Sequence, residues 1–445
     1  MKKRALHIAR LALAAALLPA AGARAQEPLR LSLSDAIARA LSEGTAVRLA
    51  TLGVQQSQNR VAQALAELRP QVVGELVVAN EMVNLKTFGF SAPGFPSVVG
   101  PFDVVDAHVN VAWQVIDLAA RRRYAAARAG VRVSEEERRR NENEVAAAVA
   151  TLYVALHRSL TRIDEIRADV SLFEKLRQLA FDQQKAGVGT RIDTTRADVQ
   201  LARQRQALLV AENQRDVAQL ALLRAVGGDF GTPVVLTDEV RPAAPPPPLA
   251  TALATARRER PELRAYTERL RAADLAIQAT EAQRLPRLAL TGQAAESGNY
   301  VRDLAWTRSI SAVASVPIFT GRRIAEQTTA ARLEREALAL QERDLERQVE
   351  QEVRQALLAA ASAQSRVALA EQNVRLAQEE LEVARDRFQN GVASSIEVDN
   401  AQTSLAAARD SRIDALTDEA QARFDLARAT GEIRNLIPGQ PAGPM

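Results

Sequence analysis

The chain contains no cysteine and only three histidines, His7, His108 and His157. Disulfides, thiolate metal sites, cysteine nucleophiles and a lipid-modified N-terminal cysteine are therefore excluded. A histidine metal centre or a Ser-His-Asp triad is poorly supplied. Aromatics make up only 4% of 445 residues, and alanine carries much of the 47% apolar content. No clustered acid, base and nucleophile appears, so the sequence gives no sign of an enzyme or of a bound cofactor. Beyond the N-terminal segment, no apolar run approaches the ~18 residues of a membrane-spanning helix.

What is present is the Ala, Leu, Arg, Glu and Gln mixture of long helices and coiled coils. Residues 1–25 read as a secretory signal: Lys2, Lys3 and Arg4, an apolar run from Leu11 to Leu18, and Ala23-Arg24-Ala25 as the cleavage site. That segment holds five basic residues and no acid, so its removal takes the formal charge from +4 to −1. An exported, nearly neutral chain does not fit a nucleic-acid partner.

The dominant feature is an internal repeat. A shift of 216 aligns Ala36-Ile37-Ala38 with Ala252-Leu253-Ala254, Arg48 with Arg264 and Pro70 with Pro286. Further along, Gly187-Val188 aligns with Gly391-Val392, and Gly227 with Gly431, at a shift of 204. The length difference falls on a Gly/Pro/Phe-rich segment at about 84–105, read as a loop, whose counterpart is a short turn at about 297–304. The chain thus divides into the signal at 1–25, a first repeat at 26–241, a Pro-rich linker at 242–248, a second repeat at 249–434 and a tail at 435–445.

Each repeat opens with a helix of about 35 residues that ends before Pro70 or Pro286. Two strands follow, at about 71–83 and 106–117, then at about 287–296 and 305–317. Ala107, Val109, Val111, Trp113 and Val115 alternate with His108, Asn110 and Gln114, and Trp306, Ile310, Ala312 and Ala314 alternate with polar neighbours. Isolated amphipathic strands in an exported chain fit an outer-membrane β-barrel, with Trp113 and Trp306 as interface anchors. Long helical hairpins follow, with tips near 185–192 and 389–395. In the last long helix Val367, Val374, Leu381 and Phe388, with Ala370, Ala377 and Ala384, form one heptad seam. Leu369, Leu376 and Val383 form a second, about 200° round the helix. Two seams call for a neighbour on each side, as in the wall of a tube. The charge run Glu135 to Arg140 reads as a solvated helix face. Four strands cannot close a barrel in lipid, so the chain must oligomerise. Two copies give eight strands and three give twelve, a choice left open by strand physics.

Leu31-Ser32-Leu33-Ser34-Asp35-Ala36-Ile37, and above all Arg387-Phe388-Gln389-Asn390-Gly391-Val392 followed by Ile396-Glu397-Val398-Asp399-Asn400-Ala401-Gln402, resemble the TolC-like outer membrane efflux protein family. Gly187-Val188-Gly189-Thr190-Arg191-Ile192-Asp193 is the weaker twin. The resemblance covers nearly all of the chain beyond the signal. It implies a mainly α protein with a small β part: a homotrimer in which an antiparallel coiled-coil α-barrel crosses the periplasm below a twelve-stranded barrel in the outer membrane of a Gram-negative bacterium. It implies a passive exit duct without catalysis, opened by a periplasmic adaptor and fed by an inner-membrane transporter of resistance-nodulation-division or ABC type. Gly187, Gly189 and Gly391 fall at its tip turns. Asp193, Glu397, Arg191, Asp399, Asn400 and Phe388 fall at its gate. Phe388 stands where the family has Tyr, Asn400 where its best-understood member has Asp, and Ala393 where an Arg is expected, which makes Arg191 a candidate substitute in the polar lock. A periplasmic coiled-coil protein without a pore would explain the helices equally well, but not the four amphipathic strands.

Overall fold

The computed structural model describes residues 28–90, 93–94, 96–238, 245–299, 303–390, 392 and 395–436. The signal segment, linker residues 242–244, Gly391 and most of the tail lie outside these. In chain order the elements are β1 (Leu29–Leu31), α1 (Leu33–Glu43), α2 (Thr45–Ala66), β2 (Gln71–Asn84), β3 (Val98–Ile116), α3 (Leu118–Lys185), α4 (Arg191–Val226) and β4 (Val234–Leu236). The second half comprises α5 (Leu249–Glu259), α6 (Pro261–Glu281), β5 (Arg287–Gly298), β6 (Ala305–Ser315), α7 (Arg323–Gln389) and α8 (Ser395–Thr430).

The opening helix of each repeat is split, against the single helix expected. Ser32 caps α1: its hydroxyl accepts from the Asp35 N–H at 3.0 Å and donates to the Asp35 carboxylate at 2.6 Å. At Gly44 the chain turns so tightly that a Cβ would lie 2.2 Å from the Ala40 carbonyl oxygen. In the second repeat Pro261 starts a new helix, because it lacks an N–H to continue the old one.

The long helices α3 and α7 have 68 and 67 residues, about 100 Å at 1.5 Å per residue. In the half nearer the strands α3 packs on α2 and α6, and α7 on α6. In the half nearer the tips each pairs with the 36-residue helix that follows it, α4 or α8. At mid-length, α1, α3, α4, α8 and the small parallel β1–β4 pair enclose one core around Ile37, Tyr153, Leu222 and Leu223. A second core joins α5, α7 and α8 around Val349 and Val353.

Glu135 to Arg140 do not form a solvated face. Glu136 binds Arg264 of α6 at 3.2 Å, Glu137 binds Arg269 of α6, and Arg138 binds Glu142, which also takes Arg434 at 3.0 Å. Glu136 and Glu137 thus join an ionic seam with the other repeat, while Arg138, Arg139 and Arg140 pair along α3 itself, Arg139 with Glu136 at the expected i,i+3 spacing.

Tyr153 is 2% exposed, and its hydroxyl donates to the Leu31 carbonyl at 3.2 Å while accepting from the Asp238 N–H at 3.3 Å. Burial pushes the phenol up to about 12. The folded state therefore holds its proton more tightly than the unfolded chain, whose phenols ionise near pH 10. That contribution is complete below pH ~10 and is lost as the pH rises toward 12. Tyr153→Phe is expected to cost about 1 kcal/mol at neutral pH and to flatten the alkaline fall in melting temperature, both readable by circular dichroism.

Candidate functional site: an amphipathic sheet and a helical tip

The strands β2, β3, β5 and β6 form one antiparallel sheet in that order. Its register sorts the side chains. Val72, Leu76 and Val78 of β2 stand beside Val111, Ala107 and Val105 of β3. Next to these come Gly292, Ala294 and Leu290 of β5, then Ile310 and Ala312 of β6. The opposite face carries Glu75, His108, Asn110, Gln293, Thr291, Ser309 and Ser311 in register. Every residue of β6 is exposed, Ile310 to 84%. One face is therefore bare and mainly apolar, interrupted by Arg308 and Glu296, and the other carries most of the polar side chains along with Val73, Val77 and Val313. On the polar face His108 Nε2 lies 2.8 Å from Glu75, and Nδ1 lies 3.2 Å from Asp106.

The two tryptophans lie on the apolar face at opposite ends. Trp113 is in register with Leu290, and its indole N–H donates to the Leu68 carbonyl at 3.0 Å, at the helical end. Trp306 is in register with Glu296, beside the β5–β6 turn, with the Arg308 guanidinium 5.7 Å from its ring centre. From Leu290 to Glu296 is about 20 Å of strand. Between those levels the face is built of apolar residues and glycine, apart from Arg308 itself.

The segment at 84–105, read from sequence as a loop, is a hairpin for much of its length. Val98 to Val105 extend β3, with Val99 opposite Val83 and Phe102 opposite Glu81. β5 ends at Gly298, opposite Val105, so the β2–β3 hairpin projects about 20 Å further than β5. The extra length of the first repeat is this projection.

At the other end of the molecule the first tip turns on two glycines. Gly187 has φ +77°, in the left-handed region, and a Cβ on Gly189 would lie 3.0 Å from the Gln183 side chain. Asp193 stands third in α4, where its carboxylate accepts from both the N–H and the hydroxyl of Thr190, at 3.1 and 2.5 Å. Glu397 stands third in α8 and pairs across the turn with Arg387 of α7, at 2.8 Å. The residue of α3 that matches Arg387 is Gln183, which carries no charge. The cross-turn ion pair at this level therefore belongs to the second hairpin alone.

Arg387 is the gate-level residue that the sequence reading passed over. Arg191, the candidate lock cation, is exposed and makes no ion pair among the described residues. Asp399 is half-buried; burial raises its carboxyl above the ordinary range, and Arg196 of α4 opposes the shift. Asn400 is exposed, and the side chain of Phe388 lies outside the described residues. Asp399 of α8 thus feels the charge of Arg196 of α4 across the two hairpins, at a distance longer than an ion pair. Asp193 and Glu397 are each tied within their own hairpin.

Comparison with known proteins joins these parts. The family model "Outer membrane efflux protein" matches residues 252–432. The outer membrane efflux protein BepC of Brucella suis is 25% identical over 436 residues, covering 94% of this chain and 90% of its own. The alkaline protease secretion protein AprF of Pseudomonas aeruginosa is 27% identical over 344 residues, covering 75% of this chain and 69% of its own. Among solved structures, a membrane protein from Pseudomonas aeruginosa superposes with TM-score 0.78 at 21% identity, covering 90% of this chain and 93% of that one. VceC of Vibrio cholerae superposes with TM-score 0.75 at 20% identity, covering 90% and 96%.

Proposed function

We propose that this chain, whose residues 252–432 match the outer membrane efflux protein family model, is a member of that family and the outer-membrane exit duct of a tripartite efflux or secretion pump. The observation that carries the reading is the sheet, with its bare, mainly apolar face bounded by a tryptophan at each end, mounted on helices about 100 Å long. β2 and β6 are the sheet's edges, and an open edge cannot sit in lipid. Closure comes from pairing β6 of one copy with β2 of the next. Three copies, the number that the family resemblance implies, make a twelve-stranded barrel in the outer membrane of a Gram-negative cell. The polar face lines the lumen, and the hairpins form the periplasmic tunnel.

The duct is passive. Cargo arrives from an inner-membrane transporter through a periplasmic adaptor, whose docking at the helical tips opens them. Asp193, Glu397, Arg387 and Asp399 with Arg196 form the tip ring that holds the channel shut. No helix of the described residues is long and apolar enough to cross a membrane, so in this reading the strands alone do so.

The two tryptophans are the only ones in the sequence, which makes fluorescence a direct test. In vesicles containing the trimer, phospholipid brominated near the carbonyl end of the acyl chain quenches more strongly than lipid brominated near its terminal methyl. Equal or no quenching by both lipids means that the sheet is not in the bilayer, and a pore-less periplasmic protein takes the place of the duct.

A further inference from the structure

The four crossings between the sheet and the helices are rich in arginine. They are residues 67–70 before β2, 117–124 after β3, 281–287 before β5 and 316–326 after β6. Together they hold eight arginines and four acids. The turns at the opposite end of the sheet, 79–104 and 296–304, hold two bases and four acids. The sheet is therefore polarised along its strands, positive toward the helices and negative away from them.

The four acids of the crossings are already committed. Glu67 binds Arg123 at 2.9 Å, Glu326 binds Arg322 at 3.2 Å and Glu281 binds Arg332 of α7 at 2.7 Å. Asp117 is buried and caps α3 by accepting from the Ala120 N–H at 2.8 Å. Arg323 donates to Gln283 and Gln327, both at 3.2 Å. Arg121, Arg122 and Arg284 are exposed and make no side-chain hydrogen bond or ion pair among the described residues. Arg69 and Arg287 are exposed as well, but Arg287, opposite Ser315, lies on the polar face, and Arg69 stands two residues before Gln71 of that face.

Arg121, Arg122 and Arg284 belong together. β3 and β5 are neighbours with Ile116 opposite Leu288, and α3 packs on the turn Ala282–Arg284. Both strands are central in the sheet, so these crossings lie away from the β2 and β6 edges, where another copy would join. Their outlook follows from the apolar face. Ile116 and Leu288 are on that face, Asp117 is extended, and Leu118 continues it. Arg121 and Arg122 come three and four residues after Leu118, on the same side of α3. Arg123 turns instead to α2, and Ala119 and Ala120 are buried. Leu118, Leu285, Val316, Ile318 and Phe319 are all exposed in the same crossings, Phe319 to 88%. Unpaired guanidiniums beside bare apolar side chains, just beyond Trp113, suit the headgroup layer of a bilayer.

We propose that Arg121, Arg122 and Arg284 bind the phosphate of an anionic glycerophospholipid in the leaflet that faces the helices. A guanidinium offers a phosphate diester two parallel N–H donors. A zwitterionic headgroup brings its own ammonium to that phosphate and gains little from three more cations. Phosphatidylglycerol has no such cation, and its net charge is what the three arginines lack. Bound lipid thus holds the sheet at a fixed depth by charge at its helical end, where the acids of the chain leave the arginines unneutralised. The proposal rests on the outer-membrane reading above.

The test is native mass spectrometry of the full-length protein in detergent, titrated with phosphatidylglycerol or with phosphatidylethanolamine of the same acyl chains. Phosphatidylglycerol is expected to half-saturate the protein at a concentration about fivefold lower or less, and raising the ammonium acetate concentration should narrow the difference. The triple variant Arg121→Gln, Arg122→Gln, Arg284→Gln should bind the two lipids alike with an unchanged melting temperature. Arg308→Gln, at the other end of the apolar face, should keep the preference. Equal binding of both lipids by the unaltered protein, an undiminished preference in the triple variant, or its loss in Arg308→Gln overturns the site. Displacement of bound phosphatidylglycerol by millimolar inorganic phosphate also overturns it, as a site for any small anion. Tryptophan quenching by brominated lipid, measured on the same protein in vesicles containing phosphatidylglycerol, separates this inference from the one beneath it. Quenching without a lipid preference removes the site and leaves the duct; no quenching removes both.

Discussion

Replacing Leu369 and Leu376 together by arginine is expected to leave the chain folded but monomeric. Both side chains belong to the second heptad seam of α7, and with Val383 they are 60%, 53% and 58% exposed. The first seam, one to two residues away, is filled by α8: Val374, Ala377, Leu381 and Ala384 are all buried. An apolar stripe on an otherwise charged helix needs a partner, and within one chain it has none. On α4 Val199, Val210 and Val217 are likewise 46%, 51% and 61% exposed, and in the proposed trimer they are the matching stripe of the neighbouring copy. Completing the burial of each leucine or valine contributes about 1 kcal/mol, repeated at every interface of the proposed trimer. A guanidinium in that seam forfeits this and adds a desolvation cost of several kcal/mol. Native mass spectrometry in detergent should show monomer for the double variant and trimer for Leu376→Met. A trimeric double variant would mean that the stripe is not an interface. Leu381→Arg provides the contrast: it strikes the occupied seam and should unfold the hairpin itself.

The second large effect is expected at the tip. Arg387→Ala should raise the open population of the duct on the order of tenfold to a hundredfold while leaving the melting temperature almost unchanged. The Arg387–Glu397 pair is about half exposed on both sides, and such pairs contribute about 0.5–1 kcal/mol each. That is negligible against the stability of helices this long. Opening that parts Arg387 from Glu397 at the turn does so in all three copies of the proposed trimer, and about 1.5–3 kcal/mol in total shifts that one equilibrium by the stated factor. Single-channel recording gives the open population, and calorimetry gives the stability. Arg387→Lys, which keeps the charge, should fall between the two. A variant with wild-type conductance would remove this pair from the lock.

The sequence made legible whatever depends on short-range order. Heptad spacing separated Val374 from Leu376 as members of two seams, and the structure buries the one and exposes the other. Alternation placed Trp113 with Val111 and His108 with Asn110 on opposite faces of one strand. What escaped depends on partners far along the chain. Val98 to Val105 look like loop because Gly94, Pro96, Gly100 and Pro101 surround or interrupt them, yet β2 pairs with them on both sides of a bulge at Gly100 and Pro101. Glu136 and Glu137 look solvent-facing until Arg264 and Arg269 of α6 arrive from the other repeat. Arg387 was hidden for a subtler reason. It lies on the helix before the turn, where its twin Gln183 is neutral, so comparing the repeats draws attention only to the acids after the turn. The turn itself folds Arg387 back onto Glu397, a contact that spacing along one helix does not show.

The unlike bonding of the twin hairpins also gives the molecule two opposite responses to its medium. Arg167 with Glu212, Glu174 with Arg205 and Arg177 with Asp198 tie α3 to α4; such half-exposed pairs weaken as dissolved ions screen them over less than ~10 Å, so the α3–α4 arm softens in brine. The α7–α8 arm has ion pairs too, Arg366 with Asp418 and Arg387 with Glu397, but its seam of valine, leucine and alanine nearer the tip tightens under excluded solutes. Between dilute and concentrated salt, the balance of stiffness therefore shifts from the α3–α4 arm toward the α7–α8 arm.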